Sequence, residues 1–286
     1  LHRLTISLDT LQRDRFISQA YTLGVTNTKN FDFVEGYVRY DANIVSVQLG
    51  RERLLWGSGF DQKMIASDNV RVYDFIRGDV QYKSLKYTFM HAWIMGKRST
   101  HVYTLPTDTA AMFFEPVVAD KFFAAHRLEF SFPGVMDIGA QEMVIYSNRS
   151  PDLAYFTPVT LIESAQRSRE ERDNVFWAFD IQTRFIPGIE LNATFLLDDL
   201  NFPDFSKGLW TNRWAMQAGL FYADPFTLPN TSLMIEYTRV EPYIFSHGRS
   251  RDNDYASLGA LLGPRVGPNG DSWFFRVDVL PHRNLT

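Results

Sequence analysis

The sequence predicts an all-β protein: an antiparallel up-and-down transmembrane β-barrel with about twelve strands in this chain. Three observations carry that reading. Apolar and polar residues alternate with period two along extended runs. Short and long connections follow one another in turn along the chain. Phe, Tyr and Trp together reach 15% of residues, which suits aromatic girdles. The runs approach the ~9–11 residues that a tilted strand needs to cross a bilayer, against ~5–6 in soluble sheets.

The clearest case is the hairpin over residues 174–200. Val175, Trp177, Phe179 and Ile181 oppose Ala178, Asp180, Gln182 and Arg184. After a Pro187-Gly188 turn, Ile189, Leu191, Ala193, Phe195 and Leu197 alternate with Glu190, Asn192, Thr194 and Asp198. Phe176 and Leu196 break the pattern as single misplacements.

The remaining elements follow in order. Leu4, Ile6 and Leu8 oppose Arg3, Thr5 and Ser7 in a short first strand, and residues 9–30 are irregular and polar. Val34, Val38 and Tyr40 oppose Glu35 and Arg39; Asp41-Ala42 turns the chain; Val45, Val47 and Leu49 then oppose Ser46 and Gln48. Arg77–Tyr82 sets Asp79 and Gln81 against Val80 and Tyr82, and a turn at Lys83-Ser84 leads into Tyr87, Phe89, His91 and Trp93. Phe122, Ala124, His126, Leu128 and Phe130 oppose Arg127, Glu129 and Ser131 before Pro133-Gly134 turns into Val135–Tyr146. Trp214, Met216, Ala218, Leu220 and Tyr222 form one strand, and Leu233, Ile235 and Tyr237 the next, after a turn at 224–230. Trp273, Phe275, Val277 and Val279 against Arg276 and Asp278 close the series. Long connections are expected at 51–76, 97–119, 147–173, 199–212 and 242–272, with one exposed helix over Leu161 to Arg172. Residues 1–286 thus read as one outer-membrane barrel domain whose long connections share one side.

Size decides which face points inward. Eight strands already enclose a space that side chains fill, whereas twelve leave a wide lumen that apolar side chains cannot pack. The polar face therefore lines the lumen, with Glu35, Arg39, Arg127, Glu129, Asp180, Arg184, Glu190, Glu236, Arg276 and Asp278, joined by Asp79 and Lys86, as a mixed-sign network. The apolar face meets lipid.

Composition excludes several classes. Hydrophobic residues at 45% and charged residues at 22% rule out general disorder. A net charge of -4 supplies no basic field for nucleic acid. The absence of Cys excludes disulfides, thiolate zinc sites and a Cys nucleophile. No apolar run reaches the ~18 residues of a transmembrane helix.

Several stretches resemble the capsule-assembly Wzi-like outer-membrane β-barrel proteins, and in particular their relatives in gliding bacteria. They are Leu49-Gly50-Arg51-Glu52-Arg53 with Trp56-Gly57, Ile145-Tyr146-Ser147-Asn148-Arg149, Thr157-Pro158-Val159, and Asp173-Asn174 through Leu197-Asp198-Asp199. Ile235 to Val240, Pro242-Tyr243, Ser246-His247, Leu262-Gly263-Pro264, Gly267-Pro268 and the strand from Asp271 continue the likeness. The resemblance implies a bacterial outer-membrane barrel of about eighteen strands that holds surface polysaccharide as a lectin, without catalysis or cofactor. The sequence departs from it in lacking a helical N-terminal part and in ending at Asn284-Leu285-Thr286 without a terminal aromatic. The resemblance therefore implies about six further strands. The expected partners are surface polysaccharide, outer-membrane lipid and other cell-envelope proteins.

Catalytic chemistry finds little support in the residues. A glycosidase needs two carboxylates ~5–10 Å apart across a sugar site, but Asp198-Asp199 and Glu170-Glu171 are sequence neighbours whose side chains diverge in a strand. The six His are scattered without HxH or HxxxH spacing, so no metal site is expected. His91 and His126 lie in apolar runs and read as packing residues. Sugar binding uses aromatic faces flanked by hydrogen-bonding side chains, and Trp56, Trp210, Tyr243, His247 and Arg249 in the long connections are the candidates. Packing of loop on loop accounts for the same aromatics equally well. Three functions compete: a non-enzymatic polysaccharide-binding or adhesion barrel, a porin-like diffusion channel, and an enzyme with a loop-borne site. A lumen plugged by loops or by paired charges argues against the channel.

Overall fold

Alternation and tight turns build one ladder in which each strand pairs antiparallel with its sequence neighbours. The structure is a computed structural model that describes residues 2–10, 34–105, 108–168, 173–199, 213–247 and 251–280. The strands are β1 (His2–Thr10), β2 (Val34–Ala42), β3 (Val45–Glu52), β4 (Tyr73–Tyr82), β5 (Leu85–Leu105), β6 (Asp108–Phe132) and β7 (Met136–Ser147). They continue with β8 (Asn174–Ile186), β9 (Ile189–Asp199), β10 (Arg213–Ala223), β11 (Thr231–Val240), β12 (Ala256–Ser257), β13 (Ala260–Leu261) and β14 (Gly270–Val279). β1 to β11 and then β14 form the twelve-stranded sheet, and β12 and β13 form a separate small hairpin. Among the described residues β1 and β14 each pair on one side only, so the sheet is open.

The short turns fall where left-handed backbone is tolerated. Gly134 and Gly188 take φ of 75° and 80°, and Lys83 takes 53°. The first turn lies two residues later than the sequence reading places it. Asp41 and Ala42 stay in β2, Ala42 faces Val45, and the chain reverses at Asn43-Ile44. Asn43 has φ 53°, a conformation that Asn accepts far more readily than a β-branched or bulky residue.

The long connections also differ from expectation. β5 and β6 stay paired up to Leu105 and Asp108, so the connection expected at 97–119 is mostly a two-stranded arm beyond the rest of the sheet. A register shift between Met95 and Arg98 adjusts the strand at Gly96, where a Cβ would meet the Ala119 carbonyl at 2.7 Å. The charged pair Lys97-Arg98 hid this pairing from the alternation pattern. The connection expected at 51–76 is residues 53–72, because β4 starts at Tyr73. The expected exposed helix is α1 (Ile162–Arg167), six residues long, with Ile162 and Ala165 buried. Its expected end at 169–172 and the connection at 200–212 lie outside the described residues.

One face of the sheet carries exposed Val38, Val47, Leu49, Val80, Leu128, Phe130, Ile138, Phe179, Leu191, Trp273, Phe275 and Val277. A contiguous apolar surface of this extent marks contact with lipid rather than water. The other face divides along the strands. Near the short turns it bears charge: Arg39, Asp79, Lys86, Arg127, Asp180, Arg184 and Glu190. Near the long connections it is apolar, with Phe75, Met90, Phe123, Met143, Ile145, Phe176, Leu196 and Val240 fully or nearly fully buried.

Phe176 and Leu196, misplaced by simple alternation, belong to this inner apolar zone. What buries them is the protein's own connections. Residues 53–72, 241–247 and 251–269 fold across the inner face and bring Trp56, Met64, Ile65, Ile244, Phe245, Tyr255 and Leu262 into the same core. The rings of Phe176 and Tyr255 lie 4.6 Å apart. Replacing Phe176 by Ala removes a ring from a closed core and should cost about 3–5 kcal/mol. The same change at Phe185, 61% exposed on the outer face, should cost far less; urea unfolding in detergent micelles compares the two.

Candidate functional site

Hydrogen bonds fix the two inner connections to strands far apart in the sheet. Ser58, six strands away from β9 along the ladder, donates through Oγ to the Ala193 carbonyl at 3.1 Å. The Phe60 amide donates to the Glu236 carboxylate on β11. On β10, Gln217 Nε2 donates to the Gln62 carbonyl at 3.0 Å and to Glu236 Oε1 at 2.9 Å. Gln62 Nε2 in turn reaches Ser272 Oγ of β14 at 3.3 Å. Gly59 sits where a Cβ would meet the Gln62 carbonyl at 2.1 Å and Gln217 Oε1 at 2.2 Å, so this approach requires glycine. Burial lowers the Lys63 pKa, with Glu236, Asp180 and Glu190 opposing the shift.

The connections also hold each other. Tyr255 donates its hydroxyl to the Ile65 carbonyl at 2.6 Å, Ser67 N to the Leu262 carbonyl at 2.8 Å, and Arg265 N to Gln62 Oε1 at 2.6 Å. Trp56, proposed from sequence as a sugar-stacking residue, lies inside this plug at 8% exposure. Its ring faces the Arg127 guanidinium at 5.9 Å.

The charged zone below the plug is paired. Arg127 donates to both Asp180 oxygens at 2.6 and 2.9 Å and to Gln141 Oε1 at 3.1 Å, with Glu129 at 3.5 Å. Arg184 bridges Asp137 at 2.9 Å and Glu190 at 3.0 Å. Arg39 pairs with Asp41 at 2.8 Å, and Glu35 with Arg53 at 2.9 Å. Arg276 and Asp278 pair with each other at 2.9 Å on β14. Glu236 stands apart from this ladder: its contacts are the plug backbone and Gln217.

At the rim residues 241–247 and 251–269 leave a cleft of about 510 Å³, within the ~300–1,000 Å³ of small-molecule sites. Tyr243, Phe245, His247, Lys97, Asp254 and Asn269 line it. Its floor is rigid. Asp254 accepts from Lys97 Nζ at 2.7 Å and from Lys121 Nζ at 2.6 Å, tying the loop to β5 and β6. Asn174 Nδ2 donates to the Asn253 carbonyl at 2.9 Å, and Leu258 N to the Met95 carbonyl at 2.9 Å. Tyr243 stands out of this floor at 58% exposure with φ 68°, an uncommon backbone for an aromatic residue. Its carbonyl accepts from Ser246 N at 3.0 Å and Ser246 Oγ at 2.8 Å, which holds that conformation.

The structure thus brings Tyr243 and His247 together and leaves Trp56 elsewhere. Trp210 and Arg249 lie outside the described residues. Sequence reasoning missed Lys97, Asp254 and Asn269: Lys97 fell in a supposed loop, and Asp254 acts only through lysines 157 and 133 positions away in the chain, as the numbering shows. His91 and His126 pack among outer-face rings, His91 within 3.9 Å of Phe156 and His126 within 5.7 Å of Phe89.

Among solved structures, the chain is similar to Wzi, an outer-membrane protein involved in group 1 capsule assembly in Escherichia coli and described as a carbohydrate-binding β-barrel. The TM-score is 0.58 at 12% identity, over 88% of this chain and 54% of that one. The chain therefore spans about half the length of that relative. OmpT of Vibrio cholerae aligns with a TM-score of 0.44 at 8% identity, over 96% of this chain and 76% of that one. No curated protein matches the sequence significantly. The family profile described as capsule assembly protein Wzi matches residues 6–279, nearly the whole chain, and so the chain belongs to the Wzi capsule assembly family of outer-membrane β-barrel proteins.

Proposed function

We propose that this protein holds surface polysaccharide at the outer membrane, as a lectin and not as an enzyme, through the rim cleft around Tyr243. The observation that carries this reading is an exposed aromatic on a rigid polar floor. Tyr243 offers a ring face, and Lys97, His247 and Asn269 surround it with hydrogen-bonding groups. The related E. coli protein, described as a carbohydrate-binding barrel, supports the same reading. Asp254, the carboxylate in the cleft, is engaged by two lysines and serves here as an anchor of the floor. In the whole protein, about six further strands would complete an eighteen-stranded barrel, and lipid and other envelope proteins would surround it.

Each aromatic stack or charged hydrogen bond to a sugar contributes about 1–2 kcal/mol, or roughly a 5- to 30-fold change in affinity. Tyr243→Ala combined with His247→Ala should therefore release polysaccharide from cells while the amount of folded protein in the membrane stays constant. Unchanged retention at normal protein level would refute the assignment of this cleft.

The porin-like alternative meets the plug and the paired charges beneath it. The full-length protein in planar bilayers should show no steady conductance of the kind an open pore gives. Deleting residues 57–66 should raise conductance, because Ser58, Phe60 and Gln62 carry the contacts that hold this connection to the inner face. Steady open-pore currents from the intact protein would favour the channel.

A further inference from the structure

The connection between β7 and β8 belongs, by its length, with the water-exposed loops of one side. Its contacts point elsewhere. It folds down the outer, lipid-facing surface of β5 to β8, and its side chains Tyr155, Ile162 and Ala165 bury outward-facing Phe122, Val144 and Tyr146. Pro158 accepts from the Tyr87 hydroxyl. Tyr87 lies two residues from the short-turn end of β5, so the connection reaches most of the way down the wall. We propose that residues 148–168 form a membrane-embedded flap, lying in the lipid layer against the wall and exposing Leu153, Val159 and Leu161 to acyl chains.

Two independent features support lipid as the occupant. First, the flap interrupts a continuous apolar surface and restores it: Leu153, Val159 and Leu161 are 79%, 87% and 64% exposed, and they sit outside a wall whose other outward residues already face lipid. Second, irregular backbone survives in the hydrocarbon region only when its polar groups are satisfied by protein. The outer wall supplies those partners. Glu142, a carboxylate on a lipid-facing position, accepts from Ile162 N at 2.8 Å and Glu163 N at 2.5 Å. The Tyr146 hydroxyl accepts from Asp152 N at 3.0 Å.

Further hydrogen bonds lie within the connection itself. Asp152 Oδ1 accepts from Ala154 N at 3.0 Å, and the Leu153 and Asp173 carbonyls accept from Thr157 Oγ1 at 3.2 Å and Gln166 Nε2 at 2.6 Å. Its ionic groups are also matched. Asp173 takes both Arg149 nitrogens at 2.8 and 2.6 Å and the Tyr155 hydroxyl at 2.6 Å, and Arg167 pairs with Glu163. Tyr87, Glu142 and Tyr146, polar residues on an apolar face, thus have one common explanation.

These 286 residues contain no Cys, so introduced single cysteines are the labelling sites once any Cys elsewhere in the full-length protein is replaced by Ser. Val159→Cys and Leu161→Cys of the full-length protein, in phosphatidylcholine–phosphatidylglycerol liposomes, would be compared with Leu191→Cys on the apolar wall and Lys83→Cys in a short turn. The ratio of collisions with oxygen to collisions with a water-soluble nickel chelate should match Leu191 and exceed Lys83 several-fold. A nickel-dominated ratio like that of Lys83 would overturn the proposal. So would exclusion of both reagents with spin–spin broadening that dilution by unlabelled protein removes, because a second copy would then cover the flap. Leu153→Cys supplies a third site should either variant fail to insert.

Discussion

A wall of twelve strands presents a broader inner face than its own side chains cover, and that excess shapes the rest of the molecule. An empty interior would leave Phe176, Phe123, Met143 and Ile145 against water. The chain instead lays residues 53–72, 241–247 and 251–269 across it. The joint between them is narrow: the Tyr255 hydroxyl on the Ile65 carbonyl, and Gly263 where a Cβ would meet the Met64 carbonyl at 2.1 Å. Strands from β4 to β11 thereby share a common core and are tied by more than the ladder.

The plug also explains why a loop can present a binding surface. A long connection on a barrel rim is ordinarily mobile, and ordering it on binding carries an entropic cost. Here residues 252–258 are already fixed to β5, β6, β7 and β8 by Asn253, Asp254, Ser257 and Leu258. Tyr243 projects from that fixed base. The Arg127–Asp180 pair lies below the Trp56 ring, so the charged zone meets the plug at a cation–π contact.

Much of the wall was legible because alternation is a local property. The β8–β9 hairpin, the turns at Lys83-Ser84 and Pro187-Gly188, and the outward set from Val45 to Val277 follow from it directly. Alternation fails where both faces of a strand are covered. Val144-Ile145-Tyr146 is buried throughout, Ile145 by the plug and its two neighbours by the flap. Such unbroken runs, with Phe176 and Leu196, carried a signal of inner packing that a two-faced reading discards. The rim cleft was half legible: Tyr243 and His247 are near in sequence, whereas Lys97 reaches them only through the fold. Glu142 was not legible at all, since its partners are backbone amides 20 and 21 residues away.

Native-state hydrogen exchange in detergent tests most directly whether the connections are core or loop. Amides of Trp56, Ala66, Ser67, Tyr255 and Leu262 each donate within the plug. They should exchange with the slow rates of strand amides such as those of β7 and β8. Exchange at the rate of the exposed turn residues would mean an unfilled interior and would contradict this account.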